Sequence, residues 1–368
     1  MKERVYYHSK REQSRVDPKK FLSMKVDGMD QSKTNLPHFK GRLPKSINAA
    51  DLLKTHITGV ISHGHGGFHT FTDFSQYPHD PNLTINVILM MLGRTAQQND
   101  GVLPPVLYIQ ADNCARENKN RYVLAFLQLL VEKKIFNEVH LSCLPVGHTH
   151  EDIDARFSLI ARRLYQNDVE TFEDFLRILD LPKVIHTIYD VKSWLMPCLP
   201  DYISGTSEPL HYKFERIDNV VTCFYKGNKD SEWKATELGF LVEMPRSKPK
   251  IIKPDFNKIE EEKLFKLIEN NKSLFKTTNI LEHWKTFIKE LKRKQINEKW
   301  ILPDLPTQTD RMPLPEEPLP DDLVHLLEKE NREPQVNIRL KKTRKRKNIN
   351  RQRPRNRQQN SKTKKSHF

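Results

Sequence analysis

Residues 106–113 have the sequence VLYIQADN, in which a nearly continuous apolar run leads directly into an aspartate and an asparagine. Such a run, following Pro104-Pro105, is typical of a strand in the middle of a sheet. The polar pair Asp112 and Asn113 stands where this strand ends, and open α/β sheets bind ligands at the carboxyl ends of their strands. We therefore expect an α/β fold with a polar site at this position.

The flanking sequence predicts further strands and helices. Before the central strand we expect strands over 21–26, 55–62 and 68–74, then a helix over 81–97 with Asp80 as N-cap and Pro81 in its first turn. After it we expect an amphipathic helix over 121–133, a strand over 139–146 and a helix over 151–165. The predicted order is β, β, β, α, β, α, β, α.

The second half of the chain differs in its sequence pattern. Strand-like alternation over 211–216, 220–226 and 238–244 predicts a small β meander, either an SH3-like barrel or strands that pack a minor core. Two charged helices follow over 257–270 and 279–295. Residues 302–320 contain six prolines and indicate an extended spacer. We divide the chain into a basic leader (1–17), an α/β domain (18–180), a small β-rich region (181–245), a charged helical region (246–300), a Pro-rich spacer with a short helix (301–336) and a disordered basic tail (337–368).

Charge is concentrated at one end of the chain. The formal net charge is +15, and residues 337–368 hold fourteen Lys or Arg with no acid, whereas the first 336 residues hold 48 basic and 47 acidic side chains. No apolar run approaches the roughly 20 residues of a membrane span, and the first twenty residues lack the apolar core of a secretory signal. Four widely spaced cysteines without a CxxC pair argue against a disulfide scaffold or zinc ribbon and favour a reducing compartment.

Three aspartates occupy informative positions. Asp27 ends the first strand, Asp112 ends the fourth, and Asp154 lies in the helix after the fifth. Gathered carboxylates repel one another unless a cation neutralises them, and oxygen ligands suit Mg²⁺ or Mn²⁺. Two such ions about 3.5–4 Å apart can activate a water or hydroxyl and stabilise a leaving oxygen, which indicates phosphoryl transfer.

Each of these acids also has a purely structural interpretation. An aspartate at a strand end is often a turn former or a helix cap. Asp30 is an alternative to Asp27, and either Glu151 or Asp152 is an alternative to Asp154.

Three segments carry a family resemblance: VDGMDQSKTNLPH, PPVLYIQADNCARENKNRYV and LPVGHTHEDIDARFSLIA. They resemble a transposon-derived eukaryotic family with an RNase H-like domain of unknown function, similar in arrangement to DDE-type transposases and integrases. The resemblance covers roughly residues 1–245 and implies an RNase H-like mixed sheet flanked by helices, with Asp27, Asp112 and Asp154 as catalytic metal ligands. It also implies that an amino-terminal DNA-binding module of relatives is missing here. The other shared residues are Asn113, Asn118, Lys119, Asn120, Gly147, His148 and Phe157.

Several polar residues near the acids have two interpretations. Asn113 and the cluster Asn118-Lys119-Asn120 either contact a phosphate or metal-bound water, or cap a helix through Asn118. His148 is either a proton donor or DNA contact, or a structural histidine. The hairpin histidines form a metal site or simply an exposed loop: His63, His65 and His69.

Two other functions compete with a transposase-like activity. Residues 147–150, GHTH, match the last motif of calcineurin-like metallophosphoesterases, but Asp27-Gly28-Met29 and Asp112-Asn113-Cys114 do not supply the earlier motifs. The other alternative is a domesticated, non-catalytic nucleic-acid-binding or interaction protein, and a homo-oligomer is compatible with either. A basic cluster in the tail resembles a nuclear import signal, predicts a nuclear location and an import receptor as partner, and would bind phosphates: Lys341, Lys342, Arg344, Lys345, Arg346 and Lys347.

Overall fold

The computed structural model describes residues 2–144, 152–180, 182–201, 205–206, 208–293 and 298–308. The chain divides into two units, residues 1–315 and 316–368, and every described residue lies in the first. The strands are β1 (Phe21–Gly28), β2 (His56–His63), β3 (Gly67–Asp73), β4 (Val106–Ala111), β5 (Glu138–Cys143), β6 (Lys183–Val184), β7 (His211–Ile217), β8 (Val220–Lys226) and β9 (Lys234–Ala235). The helices are α1 (Lys2–Val16), α2 (Pro81–Gln98), α3 (Arg121–Glu132), α4 (Asp152–Gln166), α5 (Phe172–Ile178), α6 (Val191–Leu195), α7 (Glu261–Asn270) and α8 (Ile280–Arg293).

The strands described form one mixed sheet in the order β6-β3-β2-β1-β4-β5-β7-β8-β9. Strand β2 is antiparallel to β1 and β3, whereas β4 is parallel to both β1 and β5. The antiparallel pair β7–β8 continues the sheet beyond β5. The carboxyl ends of β1, β4 and β5 therefore meet at one edge of the sheet.

Helices cover both faces of the sheet. Apolar side chains of α2, α3 and α6 pack on one face, against alternate residues of β1 such as Leu22, Met24 and Val26. Those of α4, α5, α7 and α8 pack on the other face, where Trp284 of α8 is fully buried. Because successive side chains of a strand point to opposite faces, Lys25 and Asp27 of β1 face the side that carries α4.

The predicted mixed α/β sheet with flanking helices is confirmed. The hairpin, the central strand and the helix after it lie where the sequence placed them. Helix α2 begins as predicted, because the Asp80 side chain accepts a hydrogen bond from the backbone N–H of Asn82 and Pro81 occupies the first turn.

The β-rich region differs from its prediction. Strands β7, β8 and β9 extend the main sheet and do not close into a separate SH3-like barrel. Residues 238–244 are described by the structure but do not form the predicted strand. The last strand of the sheet is instead the two-residue β9. Residues 240–242 find other partners: the amides of Phe240 and Leu241 donate to the Gln128 side chain, and the amide of Val242 donates to the Cys198 carbonyl.

The segment expected to be a basic leader is helix α1, which contacts β1 and β2 through the buried Tyr7 and through several polar side chains. Ser14 donates to the carbonyl of His63, and Glu3 accepts from His211. Lys10 lies over the ring of Tyr108 at 4.4 Å from its centroid. Apolar periodicity cannot find such a helix, because few of its contacts are apolar.

Candidate active site

Two of the predicted acids, Asp27 and Asp112, lie side by side at the ends of neighbouring strands. β1 and β4 pair in parallel with Lys25 opposite Gln110, so Asp27 and Asp112 follow at the same level two residues further along. Strand alternation also places both side chains on the face that carries α4. The two carboxylates converge because their strands are neighbours and parallel.

Helix α4 brings the third acid to the same place. Its Phe157 packs on Gly59 of β2, where a Cβ atom would lie only 2.7 Å from the Phe157 ring. Gly59 is the register partner of Asp27, so the helix comes closest to the sheet directly beside β1. Asp154 lies one turn before Phe157 and therefore at the end of the helix near Asp27.

The pKa of Asp27 reflects its burial and the two neighbouring acids. Burial raises the pKa of Asp27 to about 6; the Lys25 ammonium acts in the opposite direction, and the negative charges of Asp112 and Asp154 raise this pKa further. Asp112 and Asp154 thus both lie within electrostatic reach of Asp27, and the ionised form of Asp27 is disfavoured.

Asp112 is held in a defined orientation. Its carboxylate accepts hydrogen bonds from the Asn118 side-chain amide and from the backbone N–H of Cys114. Asn118 is buried and in turn accepts a hydrogen bond of 3.0 Å from Thr84. The role of Asn118 is therefore to position Asp112, and the cap of α3 is Asn120, which accepts from the amides of residues 122 and 123.

Two buried lysines lie beside the carboxylates. Lys25 and Lys119 are each only 3% exposed. Burial lowers the pKa of Lys119, and both lysines are close enough to Cys143 at the end of β5 to lower its pKa, which burial raises to about 12. Asn113, the residue after Asp112, is half-buried. The site thus combines negative and positive groups at the ends of three adjacent strands.

The rival acids have structural roles. Asp30 is exposed and caps a short 3-10 helix by accepting from the backbone and hydroxyl of Ser32. Asp152 accepts hydrogen bonds from Tyr7 at 2.7 Å and from His63 at 2.9 Å. The pKa of Asp152 is lowered well below its usual range by these bonds and the nearby Arg11, against the opposing effect of burial. Asp152 therefore ties α4 to α1 and β2, and Glu151 lies outside the described residues.

The three carboxylates suit a hard divalent cation. Their oxygens are ligands of the kind that Mg²⁺ and Mn²⁺ take in proteins. A cation held there would favour the ionised form of Asp27, which burial and the charges of Asp112 and Asp154 disfavour. Asp27, Asp112 and Asp154 would hold the ion.

Other predicted site residues fall elsewhere. His148 and the tail cations at 341, 342 and 344–347 lie outside the described residues. His63 and His65 are buried, not exposed: His63 contacts Asp152, and His65 hydrogen-bonds to the Phe21 carbonyl and Asn99. The interpretation of these hairpin histidines as a simply exposed loop is therefore wrong for these two, and the possible ligand group found among the described residues does not include them.

A different cluster, missed by the sequence analysis, lies at the open end of the β2–β3 hairpin. His56, Asp73 and His79 place one ligand atom each within 4.8 Å of one another. Two of the three residues could have been paired from the sequence. A hairpin in which Ser62 lies opposite Gly67 also places His56 opposite Asp73. His79 comes from the following loop and could not be placed by register.

Comparison with known proteins gives a family. Residues 45–231 match the model of a family described as a domain of unknown function (DUF7869). The match runs from before β2 to just after β8, so it includes Asp112 and Asp154 but not Asp27. No curated protein matches the chain. Among the described residues, no helix combines the length and apolar character needed to cross a membrane.

Proposed function

The chain belongs to the DUF7869 family, and we propose that it is a transposase-derived, RNase H-like DNA-binding protein that cleaves or joins phosphodiesters with Mg²⁺ or Mn²⁺. The observation that carries this proposal is the proximity of Asp112 and Asp154 to the buried Asp27, whose pKa is raised mainly by burial and further by these two neighbouring carboxylates. A sheet in which β1 lies between antiparallel β2 and parallel β4 supports the RNase H-like part of the proposal.

Each group of the site has a role in this reaction. A bound divalent ion would activate the attacking oxygen of water or of a 3′-hydroxyl and stabilise the leaving oxygen. Asp27, Asp112 and Asp154 would hold the ion, and Asn118 fixes the orientation of the Asp112 carboxylate by donating a hydrogen bond to it. Lys25 and Lys119 supply positive charge beside the carboxylates, which favours the approach of a phosphate group.

A nicking assay tests the proposal. The full chain is incubated with supercoiled plasmid and Mg²⁺ or Mn²⁺, alongside Asp112→Asn and the control Asp30→Asn. We expect the wild type and Asp30→Asn to nick at equal rates and Asp112→Asn to be at least a hundredfold slower. Equal nicking by Asp112→Asn, or no metal-dependent nicking by wild type, contradicts the catalytic proposal.

The charge distribution favours one alternative, a nuclear nucleic-acid-binding protein without catalysis. Fourteen cations in the last 32 residues bind phosphates whether or not the carboxylate site is active. Plasmid binding without nicking in any divalent metal would support this alternative. A fluorescent fusion that loses nuclear accumulation when the six cations between Lys341 and Lys347 become Gln would support the import signal.

A further inference from the structure

We infer that His56, Asp73 and His79 form a second metal site, for a transition metal of the Zn²⁺ type, distinct from the carboxylate site. The three side chains come from the first residue of β2, the last residue of β3 and the loop before α2. Two imidazoles and one carboxylate are a ligand set that Zn²⁺ takes, with a fourth position left for water or another ligand.

The separations between the imidazole nitrogens and the Asp73 carboxylate are close to those of tetrahedral coordination, and the three ligand atoms all lie within 4.8 Å of one another. Nδ1 of His56 lies 3.0 Å from Oδ2 of Asp73, and Nε2 of His79 lies 3.4 Å from Oδ1. Ligand atoms about 2.0–2.1 Å from a tetrahedral Zn²⁺ ion are about 3.3 Å apart. Small shifts of the imidazoles would therefore replace their hydrogen bonds to Asp73 with bonds to a shared ion.

The surrounding chain holds these ligands in place. Asp73 is fully buried and its Oδ1 accepts from the backbone N–H of Ser75 at 2.9 Å, the kind of supporting hydrogen bond that metal-binding carboxylates usually have. The loop leading to His79 is anchored because Gln76 and Tyr77 donate to the carbonyls of residues 185 and 186.

An ion has access to the cluster from solvent. The side chains of His56 and His79 are 13% and 23% exposed, and their ring centroids are 3.9 Å apart. Glu117 and Arg116, from the loop that follows Asp112, are both close enough to His79 to interact with it electrostatically, and their opposite charges oppose each other there.

The cluster also borders the carboxylate site. A Cβ atom on Gly28, the residue after Asp27, would lie 3.4 Å from Nε2 of His56. An experiment must therefore separate an ion held by the histidines from one held by the aspartates.

Zn²⁺ titration of the full chain against a chromogenic chelator tests the inference. The variants are His79→Ala, Asp112→Asn and His283→Ala, a control because the His283 side chain is 26% exposed and pairs with Glu173 outside the cluster. We expect one Zn²⁺ ion to bind the wild type, with affinity at least tenfold lower in His79→Ala and unchanged in the other two variants.

A second variant covers the case in which His79→Ala does not fold. His79→Gln keeps a hydrogen-bond donor for Asp73 but removes the imidazole, and we expect the same loss of Zn²⁺ affinity. Wild-type affinity in the His79 variants, or a loss confined to Asp112→Asn, overturns the inference. Wild-type affinity in the His79 variants would mean that the cluster is a hydrogen-bonded group only. A loss confined to Asp112→Asn would mean that the aspartates bind the Zn²⁺.

Discussion

Asp27 is the residue whose environment bears most directly on the proposed metal site. A carboxylate kept for folding is normally stabilised by its partners, as Asp152 is by Tyr7 and His63, with the result that its pKa falls. The pKa of Asp27 instead rises to about 6, mainly through burial. In the metal-free protein this carboxylate opposes folding at neutral pH, which is typical of a functional group.

We predict that Asp27→Asn stabilises the metal-free protein by about 1–3 kcal/mol at pH 7, because a shift of one pKa unit corresponds to about 1.4 kcal/mol. The one hydrogen bond assigned to its carboxylate, from the amide of Gly28, can be accepted by asparagine as well. Urea unfolding of both proteins in a chelating buffer measures the difference. Destabilisation by Asp27→Asn would show that the aspartate is structural.

The same shift predicts a dependence on pH. The folded pKa of Asp27 lies above its ordinary value of 3.8, so the folded state binds the proton more tightly and wild-type stability falls as the pH rises through about 4 to 6. The advantage of Asp27→Asn should be absent below pH 4 and complete above pH 6. Unfolding both proteins at several pH values checks this, and an advantage that does not change with pH would count against it.

Sequence reasoning found the acids but not all of their surroundings. The order of strands and helices was sufficient to propose Asp27, Asp112 and Asp154 together. It could not separate Asp152 from Asp154, because the distinction depends on the contacts of Asp152 with Tyr7 and His63, which are 145 and 89 residues away in the chain.

At the scale of elements, the packing of α4 on β2 positions Asp154. A Cβ atom on Gly59 would lie 2.7 Å from the Phe157 ring and 2.9 Å from Phe68. We predict that Gly59→Ala costs about 1–3 kcal/mol of stability, as overpacking usually does, and weakens Mn²⁺ binding by displacing α4.

Gly227→Ala is the matched control, since its Cβ would meet only Ser231 Oγ at 4.0 Å. Thermal melts with and without Mn²⁺ measure both effects. Equal behaviour of the two alanine variants would mean that the contact of Phe157 with Gly59 does not position Asp154.

The elements that sequence missed are those with few apolar contacts. Helix α1 is held by side-chain hydrogen bonds such as those of Ser14 and Glu3, and β6 consists of two residues. The alternating residues of 238–244 suggested a strand, but two amides in this segment are satisfied by Gln128. The alternation of apolar and polar residues does not reveal whether the backbone amides of a segment will donate to a neighbouring strand or to a side chain.

At the scale of the whole molecule, the near-neutral first 336 residues and the cationic tail have separate tasks in the proposed function. The carboxylate site would perform the chemistry, and the tail would supply affinity for phosphates that does not depend on base sequence.

We predict that changing Lys341, Lys342, Arg344, Lys345, Arg346 and Lys347 to Gln weakens duplex DNA binding at every sequence. If all six contact phosphates, the slope of log affinity against log salt concentration should fall by about 5. Binding measured by fluorescence anisotropy over a range of salt concentrations gives this slope. An unchanged slope would place the DNA contacts elsewhere.

The most direct test of the central claim, that three aspartates form one metal site, is a thermal melt with and without Mn²⁺. At a hundred times its dissociation constant, the ion should stabilise the wild type and the control Asp30→Asn by about 2.7 kcal/mol. The account predicts that Asp112→Asn and Asp154→Asn lose this stabilisation. Equal stabilisation of all four proteins, or of none, would contradict it.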